Sequence, residues 1–100
     1  MQIAAKDTKV LPKSLLHPDE VYDLVTLALQ GDFSAFDKIM SLYKERLYSV
    51  IYNITFNHED AADLTQETFV KAFRSLSKFK RKSSFFTWIY RIGVNLLFLI

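Results

Sequence analysis

The chain has no cysteine, only two glycines and two prolines, and only two histidines in 100 residues. Without cysteine there are no disulfides and no thiolate metal sites. The zero count suits a reducing compartment, and a cytoplasmic location is expected. So few glycines and prolines argue against a β-rich fold with many tight turns. His17 and His58 lie far apart, and neither sits at a metal-ligand spacing, so no metal is expected. There is no glycine-rich phosphate loop and no convergent polar constellation of the kind catalysis needs. The expectation is a binding protein without a cofactor, not an enzyme. Repeats and low-complexity tracts are absent as well. Lys6, Asp7, Lys9 and Lys13 interrupt the first 16 residues, so no apolar signal region forms there. The stretch Phe85 to Ile100 is apolar, but it carries Arg91 and Asn95 and is shorter than the roughly 20 residues a membrane span requires. It reads as a buried helix.

What the chain does contain is apolar. Half of the residues are hydrophobic and 15% are aromatic, enough for one packed core at a length above the practical minimum of about 70 residues. The formal net charge of +2 conceals a division. Residues 1–67 hold six lysines and arginines against eleven acids, a net of −5. Residues 68–100 hold seven lysines and arginines and no acid, a net of +7. The basic part suits an anionic partner, and the acidic part suits a different one.

Apolar steps of three and four place four helices. Residues 1–16 show no period and are expected to be a flexible leader to a domain over 17–100. The first helix is predicted from Pro18 to Gln30, with Asp19 and Glu20 at its positive end and Gly31 as its stop. The second runs from Phe33 to Thr55 behind an Asp32 cap, with a stripe of Phe36, Ile39, Met40, Tyr43, Leu47, Val50, Ile51 and Ile54. The third starts after Asn57 and continues to Leu76, with Ala62, Phe69, Ala72, Phe73 and Leu76 inward. A polar stretch, Ser77 to Ser84, follows, and Ser83 or Ser84 caps a fourth helix through Trp88, Ile92 and Leu96. With no period-two pattern, the predicted class is all-α, a compact four-helix bundle.

Three surface features stand out. Asp60, Asp63 and Glu67 align on one face of the third helix, and taken alone an ordinary solvated face is a better account of them than acid–base chemistry. Lys78, Lys80, Arg81 and Lys82 concentrate positive charge in the loop, flanked by Lys71, Arg74 and Arg91. Such a cluster attracts phosphates and releases counterions. Phe79, Phe85, Phe86, Trp88 and Tyr90 interleave with those cations. Rings beside cations suit unpaired nucleotides, whose bases stack for about 1–3 kcal/mol each. Phe85 and Trp88 are better explained as core; Phe86 and Tyr90 fall on a more exposed flank.

The run His58-Glu59-Asp60-Ala61-Ala62-Asp63-Leu64-Thr65-Gln66-Glu67-Thr68-Phe69 resembles the signature of bacterial RNA polymerase sigma factors. Ala72-Phe73, Phe79, Ser84-Phe85, the segment Thr87-Trp88-Ile89-Tyr90-Arg91-Ile92 and Asn95 follow at that family's spacing. Upstream, Gly31-Asp32-Phe33-Ser34-Ala35-Phe36, Tyr43 and Leu47 keep its register. The likeness covers roughly residues 20–97 without gaps, and its short first part and "TWIYRI" segment resemble the extracytoplasmic-function (ECF) group.

The resemblance implies the region 2 domain of such a factor. Asp60, Asp63, Gln66 and Glu67 would then dock on the clamp coiled coil of the core polymerase β′ subunit. Lys78, Phe79, Lys80, Arg81, Lys82, Ser83, Ser84, Phe86, Tyr90, Arg91 and Asn95 would hold the non-template strand of the promoter −10 element, with one base flipped into the loop. Two departures bear on this. Arg81-Lys82 stands where many members carry a glycine–acid pair, and the chain ends in Leu96-Leu97-Phe98-Leu99-Ile100 where members usually turn polar. The family's −35-reading helix-turn-helix domain is expected to be absent here. A helical module serving mainly as the target of an anti-sigma factor is the alternative. A membrane-surface role is the weakest reading, because the cations sit in a loop and not along an amphipathic helix.

Overall fold

A capping residue stands at the start of every helix of this computed structural model, which describes residues 17–99. Helix α1 spans Pro18–Leu29, α2 Phe33–Thr55, α3 His58–Arg74 and α4 Phe85–Phe98, and a short 3-10 turn occupies Leu76–Lys78. Before α1, the His17 ring Nδ1 accepts from the Asp19 N–H (3.1 Å), and the His17 N–H donates to the Glu20 carboxylate (2.9 Å). Asp32, Asn57 and Ser84 cap α2, α3 and α4 through their side chains. Each cap satisfies backbone N–H groups that the first helical turn leaves unpaired. Gly31 takes the left-handed conformation at φ +100° that turns the chain from α1 into α2. The leader reading for residues 1–16 lies outside the described residues.

Helix α3 packs on both α2 and α4, and α1 lies along α2. Ile39, Leu47, Ile51 and Ile89 are shielded completely and join the three larger helices. At the α3–α4 crossing Gly93 is buried, and a β-carbon added there would lie 3.1 Å from the Thr68 Oγ1. Only glycine lets the two helices approach this closely without a shift. The all-α class and the four helices stand as predicted, with α2 spanning the predicted residues.

Three expectations are corrected. Helix α3 ends at Arg74, two residues early, because Leu76 enters the 3-10 turn, where it remains buried. Its inner face is Ala61, Leu64, Thr65, Thr68, Phe69 and Ala72, whereas Ala62 is exposed and Phe73 is 39% exposed. Thr65 and Thr68 can be buried because their hydroxyls donate to the carbonyls of Ala61 (2.7 Å) and Leu64 (2.6 Å). Ile54, assigned to the stripe of α2, is 43% exposed near the helix end.

Candidate protein- and nucleic-acid-binding surfaces

The acidic stripe is on the outside. Asp60, Asp63, Gln66 and Glu67 are all exposed along α3. Among the described residues no cation lies within ion-pairing distance of these carboxylates, whose charge therefore remains open to a partner. Two grooves flank α3, and Asp63 and Glu67 line one of them. That groove, of about 610 Å³, lies towards α4 and is bordered by Glu67, Lys71 and Leu96. The other, of about 1290 Å³, lies between α2 and α3 and is lined by Phe36, Met40, Phe69 and Phe73. Gln66, Val70 and Arg74 border both.

The joint between α3 and α4 carries the cations. Lys78, Lys80, Arg81 and Lys82 are exposed, whereas Phe79 points inward and is 8% exposed. Its ring meets Phe85 edge-on at 5.3 Å and Trp88 at 5.3 Å, so it supports the loop from beneath. Tyr22 of α1 covers Phe79 at 5.9 Å. Arg81 takes a left-handed backbone conformation, φ 61°, and its guanidinium lies 4.4 Å from the centre of the Tyr22 ring. The two serines just before α4 differ. Ser83 donates to the Ser84 carbonyl (3.2 Å) and is partly buried. Ser84 is occupied as a cap: its hydroxyl accepts from the Thr87 N–H (3.1 Å) and bonds the Thr87 hydroxyl (2.9 Å).

Helix α4 divides its outer face. Phe86 and Tyr90 stack at 6.3 Å on one flank. Arg91 and Asn95, one turn apart and both exposed, form the other flank, turned from the rings by about 100° or more at 100° per residue. The ring flank receives help that the sequence reading missed. Arg46 of α2 places its guanidinium 3.8 Å over Phe86, and Tyr43 lies 6.0 Å from the same ring. Burial pushes the Tyr43 hydroxyl above its ordinary pKa, opposed by the Arg46 charge, so the phenol stays neutral in ordinary buffers. Sequence gave one weak signal for this: Tyr43 belongs to the stripe of α2, and Arg46 falls one turn further along.

These features give a helical module with one anionic face and one cationic, ring-bearing surface. Residues 39–98 match the family model for sigma-70 region 2, and the chain belongs to that family as an ECF-type region 2 domain. It is similar to the RNA polymerase sigma-H factor of Pseudomonas aeruginosa, 35% identical over 81 residues, which cover 81% of this chain and 42% of that protein. The ECF RNA polymerase sigma-E factor of Haemophilus influenzae is 39% identical over 72 residues, 72% of this chain and 38% of its own length. The ECF RNA polymerase sigma factor SigW of Bacillus subtilis is 37% identical over 67 residues, 67% of this chain and 36% of its own. The chain thus spans some two-fifths of the curated relatives it matches. No helix among the described residues is long and apolar enough to cross a membrane.

Proposed function

We propose that this domain acts in transcription initiation by binding core RNA polymerase through the acidic face of α3 and the non-template strand of a promoter −10 element through the α3–α4 joint and α4. The observation that carries this is that, among the described residues, neither charged set is consumed in ion pairs: the carboxylates of α3 have no cation beside them, and Lys78, Lys80 and Lys82 stand in solvent. Exposed carboxylates of Asp63 and Glu67 along the groove beside α4 suit a partner helix pair whose basic residues face them and set register and on-rate. At the other surface, Lys78, Lys80, Lys82 and Arg91 supply phosphate contacts, and Phe86 and Tyr90 supply stacking faces. Phe79 supports the loop, Ser83 and Asn95 offer polar atoms to base edges, and Ser84 sets the direction of α4.

The test uses core polymerase and labelled oligonucleotides. Asp63→Ala with Gln66→Ala should weaken capture by core polymerase at least tenfold while leaving oligonucleotide binding intact. The domain should prefer a single strand to duplex, with log affinity falling against log salt by about 0.7 per phosphate neutralised. Unchanged polymerase capture in the double variant, or equal affinity for duplex and single strand, would overturn the corresponding half.

One observation favours a second reading as a target of a helical protein partner such as an anti-sigma factor. The α2–α3 groove exposes Phe73 and Val70 beside Met40, an apolar seat for an amphipathic helix. A module of that kind alone would ignore oligonucleotides.

A further inference from the structure

We propose that Tyr22 and Arg81 form a latch that sets the shape of the strand-capturing loop, so that Arg81 is a positioning residue and the neighbouring lysines make the phosphate contacts. The inference rests on the reading of that loop as a nucleic-acid surface and assigns roles within it. Arg81 is one of two non-glycine residues at positive φ among the described residues. A side chain disfavours that backbone region, and such a residue persists only where its surroundings over-determine it. Here the surroundings are visible. The guanidinium lies 4.4 Å over the Tyr22 ring, the Tyr22 ring rests 5.9 Å from Phe79, and Phe79 is wedged against Phe85 and Trp88 at 5.3 Å each. A continuous series of contacts therefore ties the crest of the loop, through α1, to the core. Lys80 and Lys82 on either side are exposed and make no ion pair among the described residues. The four cations of the loop are then unequal: one is directed at a ring, and three face solvent.

Limited trypsin digestion and strand binding by the full chain test this together. Tyr22→Leu and Arg81→Gln should each speed cleavage after Lys78, Lys80 and Lys82 by roughly two- to fivefold, the size of an exposed cation–aromatic contact. Tyr22→Phe should restore the original rate, because the ring face is kept. The double variant should cleave no faster than either single one, since both remove the same contact. Circular dichroism at the digestion temperature confirms that each variant is folded, and Arg81→Gln keeps the test open should Tyr22→Leu unfold. With a labelled mixed-sequence single strand of about 12 nucleotides, Arg81→Gln should weaken binding without changing the salt slope, whereas Lys82→Ala should lower the slope by about 0.7. If Arg81→Gln lowers the slope as Lys82→Ala does, or leaves the trypsin rates unchanged, the latch is wrong. If the strand does not bind but the trypsin pattern holds, the nucleic-acid reading of the loop fails while the latch as a device for loop shape stands.

Discussion

Two joints flank α3, and they are built in opposite ways. Between α2 and α3 the chain spends only Phe56 and Asn57 outside a helix. Phe56 takes φ 53° and is 77% exposed, and its N–H closes on the Tyr52 carbonyl at 2.7 Å. Behind it Tyr52 stacks on His58 at 4.4 Å, and the Tyr48 hydroxyl shares a hydrogen bond with the His58 Nδ1. Between α3 and α4 the chain spends ten residues, Ser75 to Ser84, held from below by Phe79. Both joints contain one left-handed residue, but only that of the longer joint carries its side chain onto another helix. The short joint fixes the angle at which α3 presents its acidic face. The long one spends backbone to display cations, and beyond its 3-10 turn aromatic contacts hold it to the core.

The comparison breaks most severely at Phe85, which is 2% exposed beneath the long joint. Phe85→Ala should lower unfolding free energy in urea by about 3–5 kcal/mol, through lost burial and a cavity. Comparable losses at the short joint would need a core residue such as Ile51. Asn57→Ala should lower stability by about 1 kcal/mol, because the Asp60 N–H loses its acceptor at 2.9 Å. A calorimetric midpoint within one degree of the parent would show that the short joint does not depend on its cap. Phe56→Gly should act in the other direction and raise stability by about 1 kcal/mol, since glycine adopts the left-handed region freely and the side chain it removes is mostly in water. A loss of stability instead would give the Phe56 ring, which meets Tyr52 at 6.3 Å, a larger role.

The cap of α2 supplies a pH control. The Ser34 hydroxyl, at 2.6 Å, holds the Asp32 carboxyl below its ordinary pKa against desolvation, with further help from the backbone N–H groups of Ala35 and Ser34. A depressed folded-state value means that this contribution is present above the unfolded-state pKa and is lost as pH falls through the folded one. Stability of the parent minus that of Asp32→Asn should therefore decline in acid and stay level near neutrality, as thermal melts across acid pH can read. The smallest expected effect belongs to Lys80→Ala with Lys82→Ala. Both side chains are in solvent, so stability should stay within about 0.5 kcal/mol even though strand binding falls.

Much of this was legible from the sequence because caps and apolar spacing report local structure. Asp32 and Thr55 bound α2 as read, and Asn57 and Ser84 cap the helices assigned to them. The inner face of α3 was misread because Thr65 and Thr68 look polar in a pattern of apolar residues. Their hydroxyls bond within the helix and free their methyl groups for the core. Gly93 was passed over because an isolated glycine has no period. At the candidate surfaces, the residues of α3, the loop and α4 could be proposed from the sequence because they lie together in the chain. Tyr22, Tyr43 and Arg46 were missed because helix packing brings them there from distant segments.

The close approach at Gly93 determines where this fold tolerates added length. Since the Thr68 side chain of α3 packs directly on the bare backbone of α4 at Gly93, the crossing behaves as a fixed pivot. An extra residue beside Lys82 lengthens a span already in solvent and leaves the pivot untouched. The same residue inserted between Phe86 and Gly93 turns everything before the pivot by about 100° relative to it. Phe86 would then leave the neighbourhood of Arg46, and the outward flank of rings would lose its foundation on α2.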